Sequence, residues 1–190
     1  ADWLGVVFAS GPRIVTPARA AAIVAAAGGR AVLGVFGAQS VPVIREICGA
    51  ARLAGAQLHG TYTPADAAAL REAGLLVWRV VRLASDADLA QLDEPWDVDA
   101  VLVEPRVPQL DGGAGRPLGL PLARAARIRL GAGRMVLAGG LAPDTVAAAV
   151  GLVAPDVVDV SSGVETLPGI KDHRRIARFV EAARGRSAVT

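Results

Sequence analysis

Cysteine and aromatic residues are scarce in this sequence of 190 residues. The single cysteine, Cys48, excludes an internal disulfide and fits the reducing cytoplasm, where we expect the protein. Aromatic residues make up only 4% of the chain, too few for a surface that stacks on bases, and the formal net charge is only +2 although the pI is 9.3. We therefore expect no nucleic-acid partner.

Long apolar runs are also missing from the sequence. No run reaches the ~18 residues expected of a membrane span. The first residues lack the basic region and the apolar run of a signal peptide. We therefore expect no membrane partner. A chain of 190 residues is the size of one domain and has enough apolar content for a sizeable core, so we expect a single domain over residues 1–190.

Short apolar runs alternate with helical segments along the whole chain. Thr16-Pro17 and Thr63-Pro64 predict helix starts, because threonine is a good N-cap and proline fits the first turn. Gly55 is predicted to cap the helix that precedes it. The predicted strands span residues 4–8, 31–36, 56–58, 75–81, 100–103, 135–138 and 157–160. The other predicted helices span residues 41–53, 86–92, 121–129 and 172–184, with a short helical run between the last two strands.

Seven strand–helix units of this kind predict a parallel sheet with right-handed crossovers. An open doubly wound sheet is the alternative, but residues 8–12 read F-A-S-G-P and not the glycine-rich fingerprint G-x-G-x-x-G. We therefore predict the α/β class and the TIM (β/α)8 barrel family. Seven βα units are expected in this chain, with the first strand and helix missing.

Two consecutive units end in small residues. Gly139-Gly140 follow the sixth predicted strand, and Ser161-Ser162-Gly163 follow the seventh. Glycines let backbone N–H groups approach an anion, and serine hydroxyls add donors. In (β/α)8 barrels the loops after the last two strands often hold a phosphate. The alternative is that these glycines only make tight turns; the repetition favours a phosphate-binding cup.

Seven short motifs, spread in order over nearly the whole chain, resemble those of one family, the phosphoribosylanthranilate isomerases of tryptophan biosynthesis. Each motif is weak alone, but their order and their relation to the strands are specific. The motifs are G-V-V-F-A-S-G-P-R-I-V-T-P (5–17), G-V-F (34–36), Q-L-H-G (57–60), G-G-A-G (112–115), L-A-G-G-L (137–141), V-D-V-S-S-G-V-E (158–165) and P-G-x-K-D (168–172).

The resemblance implies a (β/α)8 barrel that carries out an Amadori rearrangement of a phosphorylated ribose–anthranilate small molecule without a cofactor or a metal. Family members use an aspartate as general acid and a cysteine as general base. The family's aspartate position is Glu104 here, one methylene longer, and Asp111 is a second general-acid candidate on the following loop. The family's cysteine lies in a K-I-C-G motif that this sequence does not contain. Cys48 falls within a predicted helix, where a buried packing thiol is expected.

Three further residues are candidates for substrate binding, and two of them, Arg13 and His59, match pocket positions of the family. Arg13 corresponds to the arginine that faces the anthranilate carboxylate, for which a planar guanidinium is a good partner; the alternative is a surface arginine. His59 corresponds to a pocket histidine, or it is a satisfied loop residue. Asp159 lies on the last predicted strand, where an unpaired carboxylate would be costly, and is expected to point into the mouth of the barrel as a substrate-binding residue, or to be held by a backbone or arginine partner. Arg116 replaces a lysine of the family, which puts that loop's contacts in question.

The sequence leaves two functional alternatives open. One is a non-catalytic phosphosugar-binding or regulatory barrel that has lost its chemistry, which the absent cysteine and the change to Glu104 favour. The other is a related phosphate-binding barrel of histidine or tryptophan synthesis, against which the Q-L-H-G and P-R-x-V-x-P motifs argue. Because the first strand is expected to be missing, we also expect an open barrel or one completed by self-association or by a partner.

Overall fold

The structure, a computed structural model, describes residues 1–106 and 118–185. Its main sheet contains seven strands in the order of the chain, β1-β2-β3-β4-β5-β6-β7. These strands are β1 Trp3–Val7, β2 Ala31–Phe36, β3 Gly55–Leu58, β4 Leu76–Leu83, β5 Ala100–Pro105, β6 Met135–Leu137 and β7 Val157–Val158. The α-helices of the described residues are α1 Pro17–Ala26, α2 Val41–Ala51, α3 Pro64–Glu72, α4 Leu120–Leu130, α5 Val146–Val153 and α6 His173–Ala183.

The chain divides into two compact units. The first comprises Ala1–Val80 and Pro95–Ala100. Its strands pair in parallel, β1 with β2, β2 with β3 and β3 with β4. Both predicted helix starts are confirmed, because the Thr16 hydroxyl accepts a hydrogen bond from Arg19 N and Thr63 forms a capping box with Asp66. The core of this unit includes Phe8 stacked on Phe36, with ring centroids 5.1 Å apart.

The predicted helix cap at Gly55 is wrong. Helix α2 ends at Ala51, and its C-cap, Arg52, adopts the left-handed conformation with φ 55°. Gly55 is instead the first residue of β3, and a Cβ built there would lie 2.1 Å from the Leu76 carbonyl oxygen. The glycine is therefore required for the close approach of β3 and β4 and not for a turn.

The second unit comprises Val81–Glu94 and the described part of Val101–Thr190. Strand β5 pairs in parallel with β6, and β6 with β7. The crossover after β4 is a 3-10 helix, Asp86–Asp93, where the sequence predicts a short helix. Asp172 caps α6 through hydrogen bonds from Arg174 N and Arg175 N, which confirms the predicted start of that helix.

One element of the second unit is absent from the prediction. A two-stranded antiparallel hairpin, β8 Glu165–Leu167 and β9 Ile170–Lys171, lies between β7 and α6. Pro168 and Gly169 form its turn, with Gly169 at φ 83°. In the part of the chain that the structure describes, no helix combines the length and apolarity needed to cross a membrane.

Candidate active site

In the first unit, the loops at the carboxyl ends of β1, β2 and β3 are joined through Gln39. Its amide nitrogen donates to the Phe8 carbonyl oxygen at 2.7 Å, and its amide oxygen accepts from Gly37 N at 3.0 Å. The Tyr62 hydroxyl donates to the Gln39 carbonyl oxygen at 3.0 Å. These bonds connect three consecutive strand ends and fix the surface on which the predicted binding residues of this unit lie.

Arg13 and His59 both lie at this end of the first unit. Arg13 is half-buried in the turn after β1, which is held by the hydrogen bond from Val15 N to the Val7 carbonyl oxygen. His59 directly follows β3 and is half-buried, and its Nε2 lies 3.4 Å from Oε1 of the buried Gln57. The structure thus places both predicted residues at strand ends, while their roles in substrate binding stay a prediction.

In the second unit, Glu104 lies near the end of β5 and is half-buried. Its Oε1 accepts a hydrogen bond from Arg82 Nε on β4 at 2.8 Å. Arg82 was not among the predicted site residues, because the two partners are 22 positions apart in sequence and meet only through strand pairing. The charged hydrogen bond fixes the longer glutamate side chain in one orientation.

Asp159 follows β7 and is half-buried, and its backbone N–H donates to the Leu137 carbonyl oxygen at 2.9 Å. Burial raises the pKa of Asp159 to about 6, and the negative charge of Glu104 adds to the rise, while Lys171 opposes it. Strand pairing brings the two acids together, because Val103 pairs with Leu137 and Leu137 with Val158. The raised pKa favours a proton on Asp159 at near-neutral pH.

The predicted phosphate-binding residues lie in two loops that touch each other. Gly139 and Gly140 follow β6 with φ of 88° and 70°, a conformation that glycine adopts readily. A Cβ built at Gly139 would lie 2.1 Å from Pro105 Cδ, and one at Gly163 would lie 2.0 Å from the Leu141 carbonyl oxygen. Glycine is thus required at position 139 against the end of β5, and at position 163 where the loops after β6 and β7 meet. Ser161 and Ser162 are exposed beside this contact.

Lys171, the only lysine of the sequence, holds the serine loop. Its Nζ donates to the Ser161 carbonyl oxygen at 3.0 Å and to Glu165 Oε1 at 2.8 Å. The Glu165 side chain is only 4% exposed, so the ammonium group compensates a buried carboxylate. The motif P-G-x-K-D contains Lys171. Its partner Glu165 could not be predicted, because the sequence did not predict the hairpin that brings the two residues together.

Cys48 lies in α2 and is 2% exposed. Burial raises the pKa of its thiol to about 11, so that a thiolate is scarce at neutral pH. Its burial in a helix agrees with the predicted packing role. The other general-acid candidate, Asp111, and the loop residue Arg116 lie outside the described residues. Within residues 1–106 and 118–185, no group of three or more His, Cys, Asp or Glu side chains is placed to hold a metal ion.

Comparison with known proteins decides the family. Residues 1–182 match the family described as N-(5'phosphoribosyl)anthranilate (PRA) isomerase. The chain belongs to the PRA isomerase family. The N-(5'-phosphoribosyl)anthranilate isomerase of Symbiobacterium thermophilum is 37% identical over 202 residues, which cover 97% of this chain and 89% of the relative. The family resemblance deduced from the motifs is therefore confirmed.

Solved PRA isomerases share the fold. The crystal structure of phosphoribosyl anthranilate isomerase from Thermotoga maritima superposes with a TM-score of 0.85 and 31% identity, covering 97% of this chain and 89% of that one. A PRA isomerase in complex with reduced 1-(o-carboxyphenylamino)-1-deoxyribulose 5-phosphate gives a TM-score of 0.81 and 29% identity, covering 97% and 88%. The predicted fold class, the TIM-barrel family with seven βα units in this chain, is confirmed.

Proposed function

We propose that this chain carries out the isomerisation of its family, the Amadori rearrangement of N-(5′-phosphoribosyl)anthranilate to 1-(2-carboxyphenylamino)-1-deoxyribulose 5-phosphate in tryptophan biosynthesis. The observation that carries the proposal is the family match over residues 1–182. The carboxyl pair of Glu104 and Asp159 supports it, because a proton held at near-neutral pH is what ring opening requires.

The ring-opening step needs a protonated carboxyl group. A carboxylic acid gives its proton to the furanose ring oxygen as the C1′–O bond breaks, and the lone pair of the anthranilate nitrogen forms the C1′=N bond. Glu104 stands at the family's acid position, and Asp111 remains a second candidate on the loop that follows. A base then removes the proton from C2′ to give the enolamine, which becomes the ketose. These steps need no cofactor.

The proposed ligand contacts follow the family's pattern. Arg13 binds the anthranilate carboxylate, and His59 contributes to the surface around the ligand. Asp159 faces the ribose part of the ligand. The phosphate is bound by the cup, by which we mean the loop residues Gly139, Gly140, Ser161, Ser162 and Gly163. Support for the cup comes from the close contact between its two loops at Gly163 and the Leu141 carbonyl oxygen.

A bulky side chain in the cup tests this assignment. Gly140→Val should weaken binding of the reduced carboxyphenylamino-deoxyribulose phosphate at least tenfold, because valine is strained at φ 70° and the loop must change conformation to relieve the strain. The measurement is the dissociation constant by calorimetry, with thermal unfolding recorded in parallel.

Gly151→Val is the matched control for the cup variant. Gly151 lies on the exposed side of α5, and a Cβ there meets no atom within 4 Å. The Gly151→Val protein should bind the ligand with the same affinity as the wild type. Unchanged affinity in a folded Gly140→Val protein would contradict the assignment of the cup.

A non-catalytic phosphosugar-binding or regulatory protein is the second candidate function. The burial of Cys48 and the replacement of the family's aspartate by Glu104 favour it. The two candidates differ in whether the ligand is converted. A binding protein takes up the ligand with micromolar or better affinity and releases it unchanged, whereas an isomerase converts it. The loss of phosphoribosylanthranilate fluorescence distinguishes them.

We also propose that the protein acts in the cytoplasm and that it self-associates. Strand β1 pairs with β2 on one side and is the first strand of the order. The backbone groups on the other side of an edge strand readily pair with a further strand, either from a second copy or from residues that precede this sequence. Sedimentation equilibrium of residues 1–190 should give a mass above 19.3 kDa. A monomer at all concentrations would contradict self-association.

A further inference from the structure

Lys171 connects the serine loop of the cup with a buried acid. Its ammonium group lies 3.0 Å from the Ser161 carbonyl oxygen, 3.5 Å from Ser161 Oγ and 2.8 Å from Glu165 Oε1. Arg175 Nη1 donates to the Glu165 carbonyl oxygen at 2.6 Å, which fixes the strand that carries this acid. The ammonium group is therefore held at the base of the serine loop. The Lys171 side chain is 40% exposed.

Asp159 lies two residues before Ser161 in the same segment and is subject to charges from two other elements. Glu104, at the end of β5, repels its negative charge, and Lys171, on β9, attracts it. Each of these two groups has a charged partner of its own. Arg82 on β4 binds Glu104, and Glu165 on β8 binds Lys171. Lys171 is the cation in this set that serves both Asp159 and the serine loop.

We propose that an anionic phosphoryl group enters the cup together with one proton, that Asp159 holds this proton, and that Lys171 links the two events. The inference rests on the proposed phosphate cup. Lys171 is in this account a positioning residue, since it acts through the Ser161 loop and through its charge.

The physical reason is competition for one positive charge. A dianion beside Ser161 and an ionised Asp159 are like charges in a half-buried setting, and each disfavours the other. When the anion binds, the ammonium of Lys171 is shared with it and stabilises the carboxylate of Asp159 less. Protonation of Asp159 is then favoured, and by linkage a protonated Asp159 strengthens anion binding equally. A bound anion thereby keeps Asp159 protonated beside Glu104, the proposed acid of the ring-opening step.

Sulfate is the probe, because it remains a dianion from pH 5 to pH 8 and adds no proton change of its own. The dissociation constant of sulfate should be about tenfold lower at pH 5 than at pH 7.5 for the wild type, at constant ionic strength set with chloride, and should change less than twofold for Asp159→Asn. In a carbon-13 titration of the aspartate carboxyl groups, saturating sulfate should move the midpoint of Asp159 to higher pH. Asp86→Asn, which removes an exposed acid of the same unit, should behave as the wild type.

Substitutions of Lys171 test the link itself. Lys171→Arg keeps the charge and should keep the pH dependence. Lys171→Met leaves Glu165 buried without its cation, so the double variant Lys171→Met/Glu165→Gln is included to preserve the fold. It should bind sulfate at least fivefold more weakly, and its Asp159 midpoint should no longer respond to sulfate.

The outcomes separate this inference from the assignment on which it rests. If neither sulfate nor the reduced carboxyphenylamino-deoxyribulose phosphate binds at any pH, the cup itself is wrong and the inference fails with it. If sulfate binds with the same pH dependence in the wild type and in Asp159→Asn, the cup stands and the linked proton is refuted. A sulfate-dependent midpoint that persists in the double variant refutes the role of Lys171.

Discussion

Residues 1–190, assayed as they stand, should bind the phosphoribosyl-anthranilate ligand but convert it far more slowly than the same residues preceded by a βα unit that carries K-I-C-G. The motif that supplies the family's general base does not occur in this sequence, and the acid position holds the longer Glu104. General acids and bases typically contribute ~10²- to 10⁴-fold each, so losing the base and displacing the acid should lower the turnover rate by several orders of magnitude.

The only thiol of the chain cannot replace that base. Cys48 is 2% exposed within α2, and burial raises the pKa of its thiol to about 11. Cys48→Ala should therefore leave the turnover of the extended chain unchanged, at a stability cost of about 1 kcal/mol for the small cavity. A parallel change of the cysteine in K-I-C-G to alanine should return the extended chain to the low rate.

The measurement is the loss of phosphoribosylanthranilate fluorescence, compared between the two chains at equal concentration. Ligand affinity should differ much less than turnover, because the proposed phosphate-binding cup is present in both. Full activity of residues 1–190 alone would contradict the prediction, and would assign the proton abstraction to a carboxylate such as Asp159.

The sequence predicted the elements that follow from local rules. Thr16 and Thr63 mark helix starts through hydrogen bonds within one turn, and these were found as predicted. The hairpin of β8 and β9 was missed because its strands have only three and two residues, too few to show an alternation of apolar and polar side chains. Gly55 was misassigned because a glycine after a helix fits both a cap and a close strand contact.

The places of the candidate residues in the fold could be predicted from the sequence, but their contacts could not, and their roles stay a prediction. Motifs placed Glu104, Asp159 and the cup residues at strand ends. The ion pair of Glu104 with Arg82 depends on the pairing of β4 with β5, and the one between Lys171 and Glu165 depends on the hairpin. Such contacts depend on the three-dimensional arrangement of the strands.

The raised pKa of the half-buried Asp159 leads to a second large effect, a dependence of protein stability on pH. The pKa of Asp159 rises from 3.8 in the unfolded chain to about 6 in the folded protein. Between these values the folded state binds the proton more tightly, so this group's contribution to the free energy of unfolding falls as pH rises from about 4 to about 6. Above that range the ionised, half-buried carboxylate should cost on the order of 1 to 3 kcal/mol.

Asp159→Asn should remove this cost. The variant should be more stable than the wild type by that amount at pH 7.5 and by clearly less at pH 4.5, in urea unfolding followed by circular dichroism. Glu104→Gln, which removes the like charge, should reduce the difference between the two pH values. A stability gain of the same size at both pH values would show that the asparagine improves packing and that the acid's proton is not involved. A carboxylate that lowers stability at neutral pH makes Asp159 a candidate functional residue, since functional sites often hold groups that cost the fold stability.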